Sequence, residues 1–214
     1  MIHNISISLP KGDALKPLAG YLETIGFPVS NYTSSNRTYR PEVDGLSVRA
    51  KIMAEKDVAI QVAVGNYDIG FCGMDWIREL RVRYQGTKLH IFKQLDINKK
   101  NLYTCTSTQS DLHSLKDLAA NNAFLTIISE YPNLAEDFAI RHRLKKFKIF
   151  SAWGRVEAYP PEHADVVILA AQNQKELNRI GLLKITKELE SGLCIVMNRK
   201  SFLEKDLSEV IDFF

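Results

Sequence analysis

Apolar and polar residues alternate from Ile5 to Leu9, and Pro10-Lys11-Gly12 closes the run, which predicts a strand followed by a turn. The period then changes. Leu15, Leu18, Tyr21, Leu22 and Ile25 recur at three-and-four spacing up to Gly26, which predicts a helix with a glycine stop. A polar stretch from Asn31 to Asp44 reads as a short strand and loop, and Val48 to Met53 as another strand. A helix over Asp57 to Val64 ends at Gly65. The apolar run from Tyr67 to Gly73 is a strand, with a helix beginning near Asp75.

Beyond it, Leu89 to Gln94 and Asn101 to Thr106 read as strands, Ser114 to Asn121 as a serine-capped helix, and Phe124 to Ile128 as a strand. Tyr131-Pro132-Asn133 opens a helix to Arg143, with proline suited to the first turn. Strands follow over Phe147 to Ala152 and Val166 to Leu169, and a helix over Gln174 to Ile180. Strands over Leu183 to Leu189 and Cys194 to Asn198 and a terminal helix from Phe202 complete the chain. Strands interleaved with helices imply parallel or mixed sheets flanked by helices. The order fits two α/β lobes with a ligand cleft between them.

Composition narrows the class without choosing a function. A chain of 214 residues can bury a core, and 45% hydrophobic with 25% charged residues is ordinary for a globular protein. The net charge of +3 argues against a nucleic-acid partner, and the basic run from Arg141 to Lys148 reads as a solvated helix end. Cys72, Cys105 and Cys194 lack metal-site spacing and read as buried free thiols. The expected location is cytoplasmic, since the polar N-terminus is unlike a signal peptide and no stretch resembles a membrane span.

Glycine-bearing turns follow predicted strands at Lys11-Gly12, Gly70 to Gly73, Gly154 and Gly181. In open α/β sheets, ligands gather at the carboxyl ends of strands, where glycine lets backbone N–H groups approach phosphate oxygens. Lys11 can meet phosphate as a point charge or simply face solvent. Asp75 can bind a ligand or cap a helix. Glu157 can accept ribose hydroxyls or pair with Arg155. No Ser/His/Asp or Cys/His arrangement is visible, so positioning and charge neutralisation would have to carry any reaction.

Six blocks, in order, resemble the catalytic chain of the ATP phosphoribosyltransferase family: ISISLPKG (Ile5 to Gly12), RTYRPEV (Arg37 to Val43), GNYDIGFCGMD (Gly65 to Asp75), SEYPNLAEDF (Ser129 to Phe138), GRVEAYPPEHAD (Gly154 to Asp165) and IGL (Ile180 to Leu182). The resemblance implies two periplasmic-binding-protein-like (type II) lobes, residues 1–90 plus 180–214 and residues 91–179. It implies transfer of phosphoribosyl from phosphoribosyl pyrophosphate (PRPP) to N1 of ATP, with magnesium on the pyrophosphate and no metal-ligating side chains. Lys11, Gly12, Gly70, Gly73, Asp75, Tyr131 and Glu157 would bind substrate. The chain's length resembles the family's short form, which implies a homodimer working with a regulatory subunit similar to histidyl-tRNA synthetase.

One segment departs from the family. Where its donor 5-phosphate loop places Asp, then a small hydroxyl or acidic residue, Thr, Gly and a second Thr before Leu, this chain carries Leu169, Gln172, Asn173, Gln174 and Glu176, ahead of Leu177. Gln174 loses the freedom of glycine, and Glu176 repels a phosphate dianion. Asn173 and Lys175 remain as donors. Asp13 and Ala54 stand where the family commonly has arginine. Three readings stay open: an active transferase with a rewritten donor loop, a non-catalytic homologue that binds a nucleotide or assembles with an active paralogue, and a cytosolic small-molecule-binding protein.

Overall fold

The computed structural model describes residues 5–36 and 38–214. Met1 to Asn4 and Arg37, the first residue of the RTYRPEV block, lie outside the described residues. The chain divides into two compact units. One runs through Leu80 and adds Tyr84–Asn98 and Gly192–Phe214; the other holds Arg81–Arg83 and Lys99–Ser191.

The first unit is built on β1 (Ile5–Pro10), β4 (Val48–Met53), β5 (Ile69–Gly73), β6 (Leu89–Gln94) and β12 (Leu193–Asn198), in the order β4-β1-β5-β12-β6. The first three of these are parallel, and β12 runs antiparallel to both β5 and β6. A ribbon of β2 (Val29–Ser30) and β3 (Glu42–Val43) accompanies the sheet; β3 is the short strand expected within the polar stretch, and it pairs with β2 just before that stretch.

Alternation along the strands sorts the core into two faces. Ile5, Ile7, Leu9, Ile69, Phe71, Leu193, Ile195 and Met197 cluster with Leu15, Leu18 and Leu22 of α1 (Leu15–Thr24) and Val210 of α8 (Ser208–Ile211). Cys72, Cys194 and Val196 cluster instead with Val58, Ala59 and Val62 of α2 (Glu55–Ala63) and Ile77 and Leu80 of α3 (Met74–Arg83).

The second unit carries β7 (Lys100–Ser107), β8 (Leu125–Ser129), β9 (Phe147–Ser151), β10 (Val166–Ala171) and β11 (Leu182–Ser191), in the order β11-β7-β10-β8-β9. Strands β8, β9 and β10 are parallel, while β7 is antiparallel to β10 and β11. The helices are α4 (Leu115–Ala120), α5 (Pro132–Arg141) and α6 (Gln174–Arg179). One face of the sheet packs Tyr103, Cys105, Ile128, Val167, Leu169 and Ala171 with Leu177 of α6. The sequence reading placed residues 180–214 with the first lobe. The ladder of β11 with β7, from Leu182↔Ser107 to Ser191↔Lys100, ties residues 182–191 to the second unit instead.

Two helix ends differ from expectation for reasons of capping. Helix α2 begins at Glu55, two residues before Asp57, because Asp57 and Val58 donate backbone hydrogen bonds to Ala54 O. The expected terminal helix is two short ones: α7 (Arg199–Glu204), capped by Asn198 Oδ1 accepting from Lys200 N and Ser201 N, and then α8. As expected, Ser114 caps α4, accepting from Asp117 N.

Candidate functional site

In the first unit, the carboxyl ends of the adjacent parallel strands β1 and β5 carry Lys11, Gly12, Gly73 and Asp75. Lys11 N donates to Met53 O at 2.8 Å, fixing the turn, and Gly12 takes the left-handed conformation at φ +80°, which glycine adopts without strain. The Lys11 side chain is exposed and has no hydrogen-bond or ion-pair partner among the described residues, leaving its ammonium free for an anion.

Gly73 caps α3, and its N–H donates to Glu55 Oε1 at 2.6 Å. Asp75 is fully buried in the first turn of α3. A methyl group on Gly73 would run into the carboxylates of Asp75 and Glu55, so both acids face this helix start. Glu55 was not singled out from the sequence, because the expected helix began after it. Tyr32 was missed as well. Its buried hydroxyl donates to Pro10 O at 2.6 Å, bracing the end of β1, and burial, with Glu55 second, pushes its pKa well up.

Gly70 lies apart from that edge, inside β5. A Cβ there would sit 2.6 Å from Ser8 Oγ and 2.7 Å from both Val58 and Val62, so the missing side chain is what lets α2 rest on the sheet. At the opposite end of the sheet, a cavity of about 370 Å³ is lined by Lys88, Asn198, Lys200 and Lys205, with Asp68 and Glu204 answering their charge.

In the second unit, β8, β9 and β10 bring Tyr131, Glu157 and the rewritten loop to their shared carboxyl edge. Ser129 organises it: Oγ donates to Ile168 O at 2.7 Å and accepts from Tyr131 N at 2.9 Å, while its carbonyl accepts from Ala152 N at 3.0 Å. Tyr131 is buried at the N-cap position of α5, with no capping hydrogen bond from its side chain. Glu130, also unremarked in the sequence, accepts from Gly154 N at 2.7 Å. Glu157 is half-buried in a 3-10 turn (Val156–Ala158). No ion pair joins Glu157 to Arg155, and neither side chain has a hydrogen-bond partner among the described residues.

The rewritten loop closes on itself. Asn173 caps α6, its Oδ1 accepting from Glu176 N at 3.2 Å, while Glu176 Oε2 accepts from Gln172 N at 2.8 Å. This is a capping box whose acid reaches one residue past the cap. Asn101 Nδ2 holds the Gln172 carbonyl at 3.0 Å. Gln174 and Lys175 are exposed. Leu169 is buried in the core beside Tyr103, so no charge remains there. One backbone donor of this turn, Gln172 N, is thus satisfied by the chain's own carboxylate.

The architecture defines a class: two α/β units whose sheets combine parallel strands with an antiparallel strand. It is shared, with a TM-score of 0.57 at 17% identity over 98% of this chain and 73% of the other, by a binding protein component of an ABC phosphonate transporter from Pseudomonas aeruginosa. The ATP phosphoribosyl transferase (HisG:HisZ) complex from Thermotoga maritima matches with a TM-score of 0.78 at 19% identity, covering 98% of this chain and 94% of that one. In sequence, the ATP phosphoribosyltransferase of Chlorobium chlorochromatii is 25% identical over 92% of the chain, and that of Solibacter usitatus 23% over the same share. The chain spans about 65% of the length of the first of these relatives. The model of the ATP phosphoribosyltransferase family matches residues 54–213, and the chain belongs to that family.

Proposed function

We propose that the protein catalyses ATP phosphoribosyl transfer: N1 of the adenine bonds to C1 of the PRPP ribose as the C1–O bond to pyrophosphate breaks. The observation that carries this reading is that the family match reaches both units; beside it, Lys11 and Glu157, each at the carboxyl edge of its own sheet, have side chains without partners among the described residues. Lys11 serves as a point charge for the pyrophosphate, and Glu157 accepts ribose hydroxyls. Gly12 and Gly73 keep the strand ends close to the ligand, Asp75 and Glu55 hold the start of α3, and Tyr131 holds the start of α5.

Magnesium enters as part of the donor, neutralising the departing pyrophosphate. Among the described residues no group of three or more His, Cys, Asp or Glu side chains could hold a metal ion. A regulatory subunit belongs to the reading, given the assembly named for the Thermotoga maritima neighbour, as does a homodimer. A cytoplasmic setting agrees with the substrates; among the described residues no helix is long and apolar enough to cross a membrane.

A second reading, a non-catalytic homologue, rests on the self-capped loop, where Glu176 occupies a donor that a phosphate would need. The experiment that separates them is pyrophosphate release from magnesium-PRPP with and without ATP, for the chain alone and beside a histidyl-tRNA-synthetase-like subunit. ATP-dependent release supports the transferase. Its absence in both settings, from folded protein, leaves the non-catalytic reading.

A further inference from the structure

We infer that Trp153 and Arg155 form an adenine-nucleotide platform at the carboxyl edge of the second sheet, the indole taking the purine face and the guanidinium its phosphates. The inference rests on the acceptor being ATP. Trp153, just past β9, is 73% exposed, more than any other large hydrophobic side chain among the described residues. Exposing an indole forfeits the burial that usually fixes tryptophan in a core, and an exposed aromatic face offers a stacking surface to any base.

The turn that presents it is held firmly. Ala152 and Val156 are buried on either side, Ala152 N donates to Ser129 O at 3.0 Å, Gly154 N to Glu130 Oε1 at 2.7 Å, and Ala158 N to Arg155 O at 3.1 Å. Gly154 and Arg155 both take left-handed backbone conformations, at φ +81° and +51°. For arginine this is strained, and such strain persists only where neighbouring contacts impose it.

The chemistry of the turn suits a nucleotide. Within five residues it offers an exposed aromatic ring, an exposed guanidinium without a partner among the described residues, and the half-buried carboxylate of Glu157, likewise unpaired. Arg155 and Glu157 are opposite in charge and two residues apart, yet the 3-10 turn leaves them unpaired. A purine and its phosphates match the ring and the guanidinium in kind, with Glu157 left to the donor ribose beside them.

The protein has two tryptophans, so Trp76→Phe leaves Trp153 as the sole indole reporter. Adding ATP to that variant should quench its emission with the same midpoint that calorimetry gives. Trp153→Ala, a change at an exposed position, should weaken ATP roughly fivefold or more, while Trp153→Phe recovers part of the loss. Arg155→Gln should weaken ATP several-fold but adenosine less than about twofold, because only ATP offers phosphates. If ATP binds and Trp153→Ala binds it equally well with unchanged circular dichroism, the platform is overturned and the proposed function stands. If the unmodified protein binds no ATP, alone or with its regulatory subunit, both are overturned.

Discussion

Glu176 Oε2 accepts a hydrogen bond from Gln172 N at 2.8 Å, turning the acid of the first turn of α6 back onto the loop before it. A carboxylate in that position does for the backbone what a bound phosphate does: it satisfies an N–H and complements the start of a helix. The chain carries its own anion there. Glu176 is therefore a stabiliser of the local fold and, on the proposed reading of this loop as the donor site, an electrostatic obstacle to a 5-phosphate.

Restoring the family pattern should reverse that. The triple change Asn173→Thr, Gln174→Gly, Glu176→Thr removes one negative charge and offers hydroxyl and glycine N–H donors, each worth ~1.5–3 kcal/mol to a charged acceptor. Calorimetric affinity for ribose 5-phosphate should rise at least tenfold. Unchanged affinity would mean that the loop does not meet the ligand.

Gly70 makes a different prediction from the glycines at the strand ends. Gly70→Ala places a methyl group 2.6–2.7 Å from Ser8 Oγ, Val58 and Val62, forcing α2 off the sheet. The urea midpoint should fall by the equivalent of about 1–3 kcal/mol. Gly12→Ala meets no atom within 4 Å, but its φ of +80° penalises any side chain, and its effect should appear in ligand affinity as well as stability.

Asp68 should show itself in acid. Burial alone would raise its pKa, but hydrogen bonds from Lys205, Ser201 and Ser6 outweigh that and hold it below the ordinary carboxylate value. Because the folded pKa is depressed, its contribution is complete above the unfolded value of about 3.9 and is lost as pH falls through the lower folded one. Lys205→Met should cost on the order of 1 kcal/mol at neutral pH and flatten part of the acid dependence of the unfolding midpoint. A parallel acid profile in the variant would contradict the assignment.

The three cysteines should be silent in the native state. Burial, then Glu55, Cys194 and Asp75, push Cys72 well above the usual thiol range, and burial takes Cys105 up to about 12 despite Lys184. None of the three is in a disulfide, and all three are buried. An aromatic disulfide reagent should label none of them from neutral pH to about pH 9, and all three once the chain is unfolded. Rapid native labelling would mean that the sheet opens locally.

The strands and long helices were legible because one face of each is apolar at a fixed period. Ile5, Ile7 and Leu9 declare β1, and Leu15, Leu18 and Leu22 declare α1. What escaped was decided by contacts distant in sequence. Glu55 has an importance that appears only when β5 brings Gly73 beside it. Glu130 acquires its role only when β8 and β9 align Gly154 with it. The end residues of β11 follow their ladder with β7, which no local pattern announces. The loop after β10 is legible in register but not in its self-capping, since the family pattern casts Asn173 as a phosphate donor and Glu176 as a repelling charge, not as partners of one another.

Transfer itself can be followed by mass spectrometry of the protein incubated with magnesium-PRPP and ATP in the presence of a histidyl-tRNA-synthetase-like subunit. An adduct of ATP carrying one phosphoribosyl group should form together with pyrophosphate. Folded protein that yields neither, while a family member with an intact Thr-Gly-x-Thr loop yields both under the same conditions, would contradict the proposed transfer.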